Sequence, residues 1–184
     1  ASSHKSYGPM GIGILFVKKD DINKMKRQIF GGGITNYYDF QKVDFIEGLA
    51  SFEVGTQDLA GIIGFAEALK FIKKIGIDDI LKHEKFLIKT LNQELKNIDR
   101  INLFNLNEDS LGICSFFVQG VSSFDLGLIF STKNIIIRHG KLCCSQFLSY
   151  FRVQDLIRVS FAIYSDLKDL EIFLNTLKYI LKKY

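Results

Sequence analysis

Ala1-Ser2-Ser3-His4-Lys5-Ser6-Tyr7-Gly8-Pro9-Met10-Gly11 opens the chain. Two hydroxyls, an imidazole and a lysine precede a Gly-Pro turn that holds the only proline of the protein. The apolar run that follows, Gly11 to Val17, reads as a buried strand. A lysine beside a histidine and small hydroxyl residues, on a turn entering such a strand, has the composition of a Schiff-base site. Burial there disfavours the ammonium form, lowers the pKa from about 10.4 and leaves a nucleophilic amine for an aldehyde cofactor. A solvated charge near a chain end is the plainer reading of the same lysine.

Outward from this stretch, the strand ends at Lys18-Lys19-Asp20-Asp21, and Ile22 to Asp39 is irregular and polar. Gly31-Gly32-Gly33 lacks the Lys-Ser or Lys-Thr and the following helix of a nucleotide phosphate loop, so a turn or a close backbone approach is expected. A helix runs from Leu59 to about Ile75, capped by Asp58 and stopped by Gly76. Thr56 just ahead of it is placed to hold an anion or merely to help the cap. A second helix runs from about Asp78 to Ile98 and joins two domains, with His83 as a surface histidine. Ile101–Leu106, Gly112–Gln119, Asn134–Arg138 and Leu156–Ile163 then read as strands. A short helix is expected at about Ser123 to Ser131, and a final amphipathic helix at Asp166–Leu181 with Ser165 as its cap. Strands interleaved with helices make a small α/β domain.

The 184 residues are 47% hydrophobic and sit between one domain and two, enough to bury a real core. The net charge of +4 comes from lysines scattered over helix faces, without interleaved aromatics, which argues against nucleic-acid binding. No apolar run approaches the ~18 residues of a membrane span, and no secretory signal pattern appears. Three cysteines are too few for a disulfide framework, so reduced thiols in a cytoplasm are expected. The chain begins at Ala1 without an initiating Met, four residues before Lys5, and is expected to be a fragment.

Two further side chains carry chemistry. Cys143 lies among Gly140, Lys141, Ser145 and Gln146, the flanks of a loop, and Arg138 and Lys141 are near enough in sequence to favour its thiolate. Cys114, in an apolar strand, reads as buried and inert. Arg158 lies in Leu156-Ile157-Arg158-Val159-Ser160-Phe161 and needs a partner, either a structural carboxylate or the carboxylate of a substrate.

Ser2 to Gly13 resembles the S-x-H-K-x-x-G-P-x-G-x-G stretch around the cofactor lysine of the class V aminotransferase family, most closely the group II cysteine desulfurases and selenocysteine lyases. Gly31-Gly32-Gly33, Phe52-Glu53-Val54-Gly55-Thr56, Arg138-x-Gly140-x-x-Cys143 and Ile157-Arg158-Val159-Ser160 match in the same order. The resemblance spans essentially the whole chain, but only the C-terminal half of the family's usual length. It implies the α/β fold of fold-type I enzymes, with residues 1–77 as the end of the large domain and 78–184 as the small C-terminal domain. It also implies pyridoxal 5'-phosphate held by Lys5, which moves the substrate's α-proton, with Ser2 and His4 as further cofactor contacts. Thr56 would hold the phosphate across a homodimer interface, near which the glycine segment would also reach. Cys143 would carry a persulfide taken from L-cysteine, and Arg158 and Arg138 would bind the substrate carboxylate. The neighbouring Cys144 reads either as an exposed spare thiol or as the residue that carries the persulfide in place of Cys143. Sulfur would pass to an acceptor or scaffold protein for iron-sulfur cluster assembly.

The sequence departs from the family in three respects. Gly140-Lys141-Leu142-Cys143 replaces a common Gly-His-His-Cys, and Gln57 stands where proline often follows, which implies a looser phosphate turn. The histidine, aspartate and glutamine that contact the cofactor ring belong to the N-terminal half, outside this sequence. Selenocysteine lysis uses the same residues, whereas a different class V transformation is a further alternative that predicts retained activity in Cys143→Ser. A truncated, inactive chain that serves only as a dimerisation or partner-binding module is the alternative of another kind, and it would expose apolar faces.

Overall fold

A computed structural model describes residues 1–104 and 111–183, which divide into two compact units, Ala1–Ile75 and Gly76–Tyr184. In the first unit, residues 1–3 pair with 12–14. The Ser3 amide donates to the Ile12 carbonyl at 3.0 Å, and the Ile14 amide to the Ala1 carbonyl at 2.8 Å. A short helix α1 (Lys19–Ile22), a hairpin of β1 (Thr35–Tyr38) and β2 (Val43–Phe45), and a long helix α2 (Leu59–Ile75) follow.

The run Gly11–Val17 is not the buried strand expected. Beyond the bridge between Ser2 and Gly13 it has no sheet partner among the described residues, and Leu15 and Phe16 are 78% and 87% exposed. An apolar strand is buried only where a sheet receives it, and this unit supplies one pairing edge. The expected polar irregularity of 22–39 is broken by the β1–β2 hairpin. Its turn is organised by Asp39, whose carboxylate accepts the amides of Gln41 (2.8 Å) and Lys42 (2.7 Å) and the Tyr37 hydroxyl (2.8 Å). These bonds, that of Gln41 foremost, hold the Asp39 carboxyl below its ordinary range.

Helix α2 has the expected bounds. The Asp58 carboxylate accepts the Gly61 amide at 2.9 Å, which is the N-cap bond, and Gly76 at φ 98° ends the helix. The chain after Lys5 lies along it: Pro9 sits against Gly64, and a Cβ on Gly61 would meet Ile12. Only Gly61, Phe65 and Ala68 of α2 are buried, whereas Ile62, Ile63, Leu69 and Phe71 are exposed. The charges of α2, Glu67, Lys70, Lys73 and Lys74, all lie from its midpoint onward, so the exposed apolar residues of its first half have the character of a covered surface.

The second unit holds the large core. Helix α3 (Ile77–Lys96) leads into β3 (Ile101–Leu103), β4 (Ile113–Val118), α4 (Ser123–Thr132), β5 (Arg138–Gly140), α5 (Ser145–Tyr150), β6 (Leu156–Ser160) and α6 (Leu167–Leu181). The strands form one antiparallel sheet in the order β3-β4-β6-β5. Cys114, Phe116, Val118, Ile157 and Val159 alternate onto one face, where they meet Leu87, Leu91 and Leu95 of α3, Leu126 and Phe130 of α4, and Phe173, Leu174 and Leu177 of α6. The opposite face carries an aromatic cluster in which Phe104 contacts Phe117, Phe147 and Phe151 at centroid distances of 5.9, 5.6 and 5.3 Å.

Several expected boundaries move. The end of the Ile101–Leu106 strand falls outside the described residues. The strand expected at 134–138 is instead Arg138–Gly140, because Lys133 and Asn134 close α4 and Ile136 is 94% exposed. Leu156–Ile163 stops at Ser160, and α5 was not foreseen. The last helix is capped by Asp166, which accepts the Asp169 amide while the Asp169 side chain accepts the Asp166 amide, a reciprocal capping box. Ser165 serves elsewhere: its hydroxyl accepts the Ala162 amide, and its carbonyl pairs with His83 Nε2 at 2.8 Å. His83 is therefore a half-buried tether between α3 and the start of α6 rather than a free surface group.

Helix α4 packs on β5 through Gly127, where an added Cβ would run into the His139 ring. The Phe124 ring meets that imidazole edge-on at 5.6 Å. Gly127→Val is expected to lower stability by about 1–3 kcal/mol through overpacking, read as a shift of the urea midpoint of the full-length protein.

Candidate functional site

The Lys5 turn is a 3-10 turn, Ser3–Lys5, closed by the Ser3 carbonyl, which accepts the amides of Ser6 (2.8 Å) and Gly8 (3.1 Å). Ser3 is fully buried and its hydroxyl has no hydrogen-bond partner; a Cβ on Gly8 would collide with that oxygen. Gly8 is thus required by close approach, and Tyr7 before it takes a left-handed backbone at φ 61°. Bulky residues held there cost of order 1–3 kcal/mol, a cost characteristic of functional loops. Ser2, His4 and Lys5 are brought together on this turn, and among the described residues their side chains form no hydrogen bond or ion pair with protein. Lys5 is exposed, so the burial expected around it is not supplied by this chain. A free primary amine flanked by a hydroxyl and an imidazole is a donor set that fits an anionic aldehyde.

Thr56 is exposed just ahead of α2, and no hydrogen bond joins it to Ser2, His4 or Lys5 among the described residues. Its turn is bridged by a side chain. The Gln57 side-chain Nε2 donates to the carbonyls of Val54 (3.2 Å) and Gly55 (3.4 Å). The Gly55 amide donates to Gly32 at 2.8 Å, and a Cβ on Gly31 would lie 2.8 Å from Val54. Gly31 therefore lets the backbone close onto the Thr56 turn.

In the second unit, β5 and β6 set Arg138 directly opposite Arg158, with Ser115 of β4 on the other side of Arg158. Because Ile157 and Val159 face the core, Arg158 points to the opposite face. Its Nε is buried without a hydrogen-bond partner, and among the described residues no carboxylate forms an ion pair with either arginine. Two like charges opposite each other in a ladder repel. An anion held between them would remove that cost, and among the described residues no structural carboxylate takes that place.

Directly after β5 the chain makes a tight turn, Lys141–Cys144, in which the Lys141 carbonyl accepts the Cys144 amide at 3.0 Å. Leu142 (φ 52°) and Cys143 (φ 57°) are both left-handed, as in a type I′ turn, a shape normally left to Asn-Gly. Two such residues without glycine store strain of order 1–3 kcal/mol each. The turn leaves Cys143 exposed, whereas Cys144 is half-buried with its thiol donating to the same Lys141 carbonyl at 3.1 Å. No hydrogen bond joins the Cys143 sulfur to Arg138 or Lys141 among the described residues. Cys114 is buried and its thiol is pushed up to about 12 by desolvation, as an inert core cysteine should be.

Sequence reasoning missed the anchor of this turn. The Gly140 amide donates to the Ser123 hydroxyl at 3.1 Å, and the Ser123 amide to Asp155 Oδ1 at 3.2 Å. β5, the start of α4 and the entry to β6 are thereby tied together at the base of the cysteine turn. A cavity of about 520 Å³ opens beside it, lined by Gly140, Lys141, Ser145, Leu148 and Asp155.

Among solved structures, the chain superposes over its full length on an apo cysteine desulfurase from Thermococcus onnurineus NA1, with a TM-score of 0.94 and 26% identity, covering 46% of that protein. It superposes over 98% of its length on the S-sulfonic acid form of the cysteine desulfurase CsdA from Escherichia coli, with a TM-score of 0.93, 25% identity and 45% coverage. In sequence it is 37% identical over 177 residues to a cysteine desulfurase of Wigglesworthia glossinidia brevipalpis, which covers 96% of this chain and 43% of that relative. The chain therefore spans less than half the length of the relatives it matches, and its fold is the corresponding part of the fold-type I architecture. With the aminotransferase class-V profile matching residues 1–173 as well, the chain belongs to the class-V aminotransferase family.

Proposed function

We propose that the full-length protein containing this chain is a pyridoxal-phosphate-dependent cysteine desulfurase. The observation that carries this reading is the strained turn that presents Cys143 beyond the strand on which Arg138 faces an Arg158 that has no counter-ion among the described residues. In this reading residues 1–77 end the cofactor-binding domain, and 78–184 form the small domain. Lys5 holds the cofactor aldehyde through its amine, with Ser2 and His4 beside it and Thr56 acting on the phosphate across a homodimer interface. When bound, the cofactor supplies an electron sink for the substrate's α-carbon.

This chain's own residues do the rest. Arg158, with Arg138, orients the substrate carboxylate by paired N–H donors. The Lys5 amine, once free, takes and returns protons at the substrate's carbons. The Cys143 thiolate attacks the substrate sulfur: a sulfur–sulfur bond forms, the carbon–sulfur bond breaks, and its electron pair ends as a C–H bond of alanine. L-cysteine and one thiol thus become L-alanine and one persulfide, which passes to a cytoplasmic sulfur-acceptor protein serving iron-sulfur cluster assembly.

The test is product analysis with L-cysteine and an excess of a small reducing thiol. Alanine and sulfide should form in equal amounts, whereas pyruvate and ammonia in place of alanine would mark an elimination instead. Arg158→Lys keeps the charge but loses the fork; it is expected to raise KM for cysteine about 10- to 100-fold, from charge-assisted bonds worth about 1.5–3 kcal/mol, while cofactor content stays at the wild-type level.

A further inference from the structure

Cys143 and Cys144 form a vicinal pair of which only the first is used in the reaction just proposed. The Lys141 carbonyl fixes the second by accepting both its amide and its thiol, at 3.0 and 3.1 Å. One sulfur is thereby exposed on the tip of a strained turn, and its neighbour is half-buried at the turn's foot. Resting on the persulfide chemistry assigned to Cys143, we propose that Cys144 is a second sulfur carrier, taking the outer sulfur from Cys143 and freeing it for another turnover.

The transfer balances without a further reactant. The Cys144 thiol gives its proton to solvent, and its sulfur attacks the terminal sulfur of the Cys143 persulfide. The sulfur–sulfur bond at Cys143 breaks, its electron pair returns to the Cys143 sulfur, and that sulfur takes up a proton. One sulfur–sulfur bond is lost and one is gained, so the step is redox-neutral. Attack on the inner sulfur would instead expel sulfide and close a disulfide between adjacent residues. Disulfides prefer Cα atoms about 4.4–6.8 Å apart, whereas consecutive Cα atoms lie about 3.8 Å apart. The backbone thus disfavours that ring, while an interposed sulfur lengthens the bridge and permits outer transfer. The half-buried position of Cys144 shelters the stored sulfur from small thiols.

The test is a burst experiment on the cofactor-loaded full-length protein with L-cysteine and no acceptor or reductant, followed by alkylation and peptide mass mapping. Wild type is expected to form about two alanines per chain in the burst, with persulfide on both Cys143 and Cys144, and Cys144→Ser and Cys144→Ala about one, all on Cys143. A wild-type burst of one with persulfide confined to Cys143, or a burst of two that survives both substitutions, overturns the second carrier alone. No alanine from the wild type overturns the desulfurase reading, and the carrier with it.

Discussion

Cys143→Ser in the full-length protein is expected to lose about 10³-fold or more of its alanine formation from L-cysteine, the scale on which removing a nucleophile acts, while retaining bound cofactor and the wild-type urea midpoint. The exposed sulfur at the tip of the Lys141–Cys144 turn is the one described thiol positioned for that role, since Cys114 is buried with a thiol pushed up to about 12 and Cys144 is half-buried against Lys141. A serine hydroxyl occupies the same left-handed position without added bulk, so the backbone strain is unchanged and the comparison isolates the sulfur. Retained alanine formation would show that Cys143 is not the nucleophile. The readout is single-turnover alanine formation, with the cofactor's visible absorption as the control for an intact site.

Lys5→Ala is expected to have an effect of comparable size with the opposite pattern. Covalent attachment of the cofactor is lost, and turnover falls by about 10³-fold or more, because the group that moves the substrate's protons is gone along with the attachment point. Cys143 remains alkylatable. The turn itself should survive: its bonds run from the Ser3 carbonyl to the amides of Ser6 and Gly8, and Lys5 contributes only backbone. Lys5→Arg keeps the charge but cannot bond covalently to an aldehyde, and should fail equally. An activity that tracked charge alone would separate the two substitutions.

What was legible in the sequence follows from how local each signal is. Helix α2 reads directly from Asp58 and Gly76, because a cap and a left-handed stop are one-residue decisions. The cores of α3 and α6 follow from apolar residues at helical spacing. The last cap was misplaced by one residue because Ser165 and Asp166 are both competent, and the reciprocal bond with Asp169 decides between them. The run Gly11–Val17 misled because an apolar stretch declares a preference for burial but cannot supply the sheet that provides it. The β1–β2 hairpin escaped because both strands are short and largely exposed; the usable signal was Asp39 with the Gln41 and Lys42 amides that close its turn. The Arg138–Arg158 pairing depends on the register between β5 and β6, which no single-strand pattern encodes. The type I′ shape at Leu142-Cys143 contradicts the residues' own preferences, and such local disagreement is where function is to be sought.

Borohydride reduction of the full-length protein, followed by peptide mapping, tests the central claim most directly. A pyridoxyl group on Lys5, and on no other lysine, is the predicted result. Reduced protein with no label on the Lys5 peptide would contradict the assignment of the cofactor to this turn.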